Sequence, residues 1–189
     1  MRVLVLLGFA ACGAVASPSA RFDAEDLVIW DGSKSVRLHD VLDPHAFHKT
    51  IHAIQQRGKD FYVVYGTSEL SRGWPPKDGH CGSGLESYIQ WLHIKDGKVV
   101  AEQEGRYESC LMNRNGHSIN WREGKLVWRS GGVERAGDSS PAKFVWFDYT
   151  WSYDPQQPER GILEKKAPSK PESEGRSQQP VPNHGLENG

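Results

Sequence analysis

The chain has 189 residues, 37% of them hydrophobic and 25% charged. That suits one domain with a workable core; it is too apolar for a disordered chain and too polar for a membrane-embedded one. With 23 Lys and Arg against 24 Asp and Glu the net charge is -1, which argues against a nucleic-acid binder, since neutralising phosphates needs a clustered basic surface.

Residues 1–16 read as a secretory signal peptide. Arg2 supplies the positive start, Val3 to Ala11 an apolar stretch too short to span a bilayer, and Ala14-Val15-Ala16 the small residues that precede cleavage before Ser17. Phe9-Ala10-Ala11-Cys12 also resembles a lipobox, in which Cys12 would be acylated. Phe suits its first position poorly, so export to the periplasm or the exterior without a lipid anchor is the leading expectation. No other segment reads as a transmembrane span.

Removal of the signal leaves Cys81 and Cys110. An even cysteine count in an exported chain implies a disulfide, and two cysteines allow one pairing. In the chain-entropy account such a loop contributes about 3.5 kcal/mol. The run Gly79-His80-Cys81-Gly82-Ser83-Gly84 raises the alternative of a nucleophilic thiol. Adjacent residues on an extended chain point opposite ways, so His80 is badly placed to act as its base.

The predicted elements begin with a hairpin, Leu27–Trp30 and Ser35–His39, around Asp31-Gly32. Asp43 and Pro44 then read as the cap and first position of an amphipathic helix. It would run to about Arg57, stop at Gly58, and bury Phe47, Ile51 and Ile54 at helical spacing. Phe61–Tyr65 is the next strand. Glu86–Ile94 and Val99–Glu108 form a central hairpin about Asp96-Gly97, a pair suited to a type I′ turn. This register leaves Cys81 and Cys110 offset at the open end, so a disulfide there requires a bulge or splayed ends. Ser118–Trp121 and Leu126–Arg129 form a further hairpin, and Phe144–Tyr153 a long aromatic strand. Residues 164–189 are too polar to bury surface and read as a disordered tail. The expectation is therefore a single α+β domain over residues 17–163. It would be a mainly antiparallel meander of about eight strands with one helix packed on it.

Three constellations could carry function. His45, His48 and His52 would form one polar stripe on the predicted helix, able to hold zinc or copper. No established metal motif accompanies them. Glu86 and Glu108 fall nearly opposite each other in the central hairpin, and two carboxylates about 5 Å apart could act on a glycoside. In the aromatic strand, Phe147, Tyr149, Trp151 and Tyr153 share one face and Phe144 and Trp146 the other. Trp146, Tyr149 and Trp151 are its candidate binding residues.

The run Cys81-Gly82-Ser83-Gly84-Leu85-Glu86, followed by Trp91-Leu92, Glu108-Ser109-Cys110, Tyr153-Asp154 and Pro158-Glu159-Arg160-Gly161, resembles a pattern in small exported bacterial proteins of uncharacterised function. The resemblance spans roughly Gly79 to Gly161. It implies export and the cysteine pair, and it transfers no catalytic residue. The sequence thus points to a non-enzymatic, disulfide-stapled exported protein that binds a protein or glycan of the cell envelope. An inhibitor or immunity-type partner of an envelope-targeting enzyme belongs to this class. The alternatives are a histidine-dependent metal protein and a hydrolase using the paired carboxylates.

Overall fold

The computed structural model describes residues 17–71, 84–136 and 143–169. Their order is β1 (Ser19–Asp23), β2 (Asp26–Trp30), β3 (Ser35–Leu38), β4 (His48–Arg57), β5 (Asp60–Leu70), β6 (Leu85–Lys95), β7 (Lys98–Ser109), β8 (Arg114–Arg122), β9 (Lys125–Ala136), β10 (Lys143–Tyr153) and β11 (Ile162–Pro168), with a 3-10 turn at Pro158–Arg160. β1–β3 form one antiparallel sheet. β4–β11 form a second, eight-stranded sheet in which every strand pairs with its neighbours in sequence. No helix among the described residues is long and apolar enough to cross a membrane.

The expected α+β fold with its amphipathic helix is overturned, since there is no α-helix among the described residues. Asp43 and Pro44 open a short turn, closed by the Ala46 N–H donating to the Asp43 carbonyl at 3.0 Å, and the chain then extends as β4. The cause of the misreading is a bulge. Register slips between Ile51 and Ala53, leaving His52 without a partner residue on β5. Ile51 opposite Tyr65 and Ile54 opposite Val63 therefore face the same side although three residues apart. A bulge inserted into a period of two imitates the spacing of a helix.

Two-residue turns with positive φ link many of the strands. Asp96 (φ 49°) and Gly97 (φ 76°) join β6 to β7, and Glu123 (φ 50°) and Gly124 (φ 74°) join β8 to β9. Both place φ > 0 at the two central residues, as a type I′ hairpin requires.

Burial divides the long sheet into layers. On one face of β5 and β6, Phe61, Val63, Tyr65, Leu92 and Ile94 pack with Leu27, Ile29 and Leu38 of the small sheet. On the other, Tyr62, Val64, Ile89 and Trp91 pack with Leu126, Trp128, Tyr149, Trp151 and Tyr153 of β9 and β10. The sheet can fold over on itself because β7 and β8 are joined by a single residue pair, Ser109 with Arg114. β5 is consequently buried on both faces, which is why Phe61-Tyr62-Val63-Val64-Tyr65 is an unbroken apolar run. Ordered structure also continues past Leu163 into β11, which adds to the free side of β10.

Candidate functional site

The β6–β7 hairpin contains two further register shifts, one at its open end between Ser87 and Tyr88 and one beside its turn between His93 and Ile94. Both insert an extra residue into β7. Glu86 consequently pairs with Ser109, and Glu108 with Ser87. Directly opposite residues share a face and successive residues alternate. The structure therefore places Glu86 and Glu108 on opposite faces rather than together. Glu86 is almost fully buried. Its Oε1 accepts from the Ser71 hydroxyl (2.6 Å) and the Leu111 N–H (3.3 Å), while Arg106 lies 3.6 Å from Oε2. It holds together the chain segments on either side of the hairpin. Glu108 instead accepts from the Ser87 hydroxyl at 2.9 Å, and Ser87 in turn contacts the Ser68 hydroxyl at 2.9 Å.

The same shifts settle what lies opposite Cys110. Its N–H donates to the Leu85 carbonyl at 3.3 Å, and its side chain lies against Gly84. The Ser71 N–H donates to the Gly84 carbonyl at 2.9 Å, closing the base of the segment that carries Cys81. Cys81 itself lies outside the described residues, as do Cys12, residues 1–16 and residues 170–189 of the expected tail.

The proposed histidine stripe is not assembled on a helix. His45 stands in the turn before β4, while His48 and His52 lie along β4, with the bulge at His52. His52 turns toward the second core, its ring 5.6 Å from that of Trp128. No group of three or more His, Cys, Asp and Glu that could hold a metal ion occurs among the described residues.

Of the three aromatic candidates, Tyr149 and Trp151 are buried and stack on one another, with ring centroids 5.9 Å apart. Trp146 is 62% exposed. The alternation read from the sequence is present, and it separates core residues from a surface residue. Trp146 stands directly opposite Val133 on β9, whose N–H donates to the Asn113 carbonyl at 3.3 Å. These residues border a cleft of about 590 Å³ that also takes in Leu85, Glu108, Arg114 and Asn115. The cleft opens where β7 and β8 splay apart around their one residue pair. Arg114 is fixed from within: one guanidinium nitrogen donates to the Arg106 carbonyl at 3.0 Å, and its carbon sits 4.1 Å from the Tyr149 ring centroid. Tyr149 donates a short hydrogen bond to Glu134, whose carboxyl is held below the usual range mainly by Lys166. Exposed Leu111 and Met112 continue the apolar surface through the turn before β8.

A second groove of about 590 Å³ lies between the 40–43 turn and the β6–β7 hairpin, bordered by Asp40, Asp43, Glu102 and Glu104. Burial raises the Glu104 pKa; Glu69 and Glu102 raise it further and Arg106 opposes them. Its apolar floor, Leu42 and Leu92, belongs to the first core. The sequence reading missed both grooves, because each joins residues far apart in the chain. The parity of β10 pointed to Trp146, and nothing local pointed to Asn113 or Asn115. No family model, no curated protein and no solved structure matches this chain.

Proposed function

We propose that this is an exported binding protein, acting by recognition rather than catalysis, which engages a protein or glycan of the cell envelope through the cleft beside Trp146. The observation that carries this reading is the exposed indole beside a cleft that combines apolar Leu85 and Val133 with Glu108, Asn113 and Asn115. Large exposed aromatics beside oriented polar groups are typical of recognition surfaces. The separation of Glu86 from Glu108 removes the arrangement on which a glycosidase reading rested. Export rests on the leader in residues 1–16. The Cys81–Cys110 disulfide belongs to the same proposal; it would staple the segment after β5 to the turn after β7, next to Gly84.

Capture from a cell-envelope extract tests the reading. Mature protein is expected to retain a component that Trp146→Ala retains at least about tenfold less, with both proteins melting at the same temperature. Equal capture by the two proteins, or none by either, overturns the assignment. Intact mass of the exported protein should show cleavage before Ser17, no lipid, and the two-dalton loss of a disulfide.

A further inference from the structure

We infer that the Trp146 cleft is a saccharide site that takes a neutral pyranoside, an inference that rests on the binding reading above and names its ligand. The first ground is the shape and exposure of the platform. Trp146 is 62% exposed and lies on the face of β10 opposite the buried Tyr149 and Trp151. At 62% exposure, and with no ring contact to another described aromatic residue, its indole has surface free for the C–H face of a sugar ring.

The second ground is the chemistry of the polar wall. Asn113 and Asn115 are exposed, and their carboxamides hydrogen-bond to no other described residue. A carboxamide offers a donor and an acceptor side by side, matching a vicinal pair of hydroxyls, each of which both donates and accepts. The backbone helps to set this wall. Asn113 has φ 50°, and its carbonyl is tied to β9 through the Val133 N–H.

Charge supplies the third ground. Glu108 is the one carboxylate residue lining the cleft, while the Arg114 guanidinium is turned to the Tyr149 face of the sheet, away from Trp146. Glu108 accepts from the Ser87 hydroxyl, a neutral partner, and Arg114 is held by the Arg106 carbonyl and the Tyr149 ring. A carboxylate in this position accepts hydrogen bonds from sugar hydroxyls and repels an anionic ligand. A cavity of about 590 Å³ falls within the range of small-molecule sites and has room for about one or two sugar rings. A flat protein partner would leave such a recess unfilled, at a cost in packing.

The test is titration calorimetry of the mature chain with cellotriose, maltotriose and chitotriose, and with the anionic trigalacturonate. One neutral trisaccharide is expected to bind with Kd below about 1 mM, and trigalacturonate at least about tenfold more weakly. Trp146→Ala and Asn115→Ala should each weaken the neutral ligand about tenfold or more, at unchanged melting temperature. Trp121→Ala, which removes another exposed indole, should leave it unchanged. Asn115 is the better amide to remove, because alanine at Asn113 would be strained at positive φ. Absence of neutral saccharide binding, preference for trigalacturonate, or binding that depends on Trp121 instead overturns the saccharide assignment. If Trp146-dependent capture from envelope extract persists in that case, the binding reading survives without it. If capture is lost as well, both fall.

Discussion

His52 shows how one side chain couples an irregular backbone to acid sensitivity. The bulge directs its imidazole into the second core, where it packs against Trp128 and lies over Gly66. Burial lowers its pKa below the ordinary 6.5, with no neighbouring carboxylate to offset the effect. The unfolded chain therefore binds a proton that the folded chain resists, and this contribution to stability is complete only above the unfolded value. Stability is expected to fall as pH drops through 6.5 toward the lowered folded pKa. Urea denaturation between about pH 7.5 and pH 5.5 measures this, and His52→Gln should flatten that part of the profile. The sequence made this histidine visible but assigned it to the wrong face of the wrong element. Its true setting depends on Trp128 and Gly66, which other strands bring to it.

At the level of elements, the end of β10 depends on one glycine. Gly161 has φ 68° and closes the turn into β11. A Cβ there would lie 2.1 Å from the Gln103 Oε1, the same atom that accepts the Ile162 N–H at 2.6 Å. Gly161→Ala therefore combines backbone strain with loss of a cross-layer hydrogen bond. It should cost about 2–3 kcal/mol in chemical denaturation. The hairpins about Asp96-Gly97 and Glu123-Gly124 were legible in the sequence because turn chemistry is local. β4 was not, since its bulge and the Asp43-Pro44 pair together imitate a capped helix. β11 was missed because Glu164, Lys165 and Lys166 read as solvated tail. Its stability comes from pairing with β10, and one strand's composition does not record its neighbour. The pairing of Glu86 with Ser109 was hidden for a related reason: the register shifts in β7 carry no sequence mark.

For the whole molecule, the governing fact is that β5 contributes to both cores. Val63 and Tyr65 face the small sheet, while Tyr62 and Val64 face β9 and β10. Neither layer can separate without uncovering this strand, so thermal unfolding of residues 17–169 is expected as one cooperative transition. Calorimetric and van't Hoff enthalpies should then agree. A chain starting at His48, which lacks β1–β3, should expose Phe61, Val63, Tyr65, Leu92 and Ile94. It should bind a hydrophobic dye where the whole protein does not. The division of the meander into stacked layers was beyond the reach of sequence patterns, since it follows from the single residue pair between β7 and β8. The long sheet also has two free borders, β4 and β11. The bulge at His52 disrupts one, while Lys165, Lys166 and Pro168 occupy the other. Kinked backbone, paired lysines and a missing N–H all discourage a second copy from extending the ladder. Backbone pairing of a second copy, and with it amyloid-like stacking, is therefore opposed at these two rims.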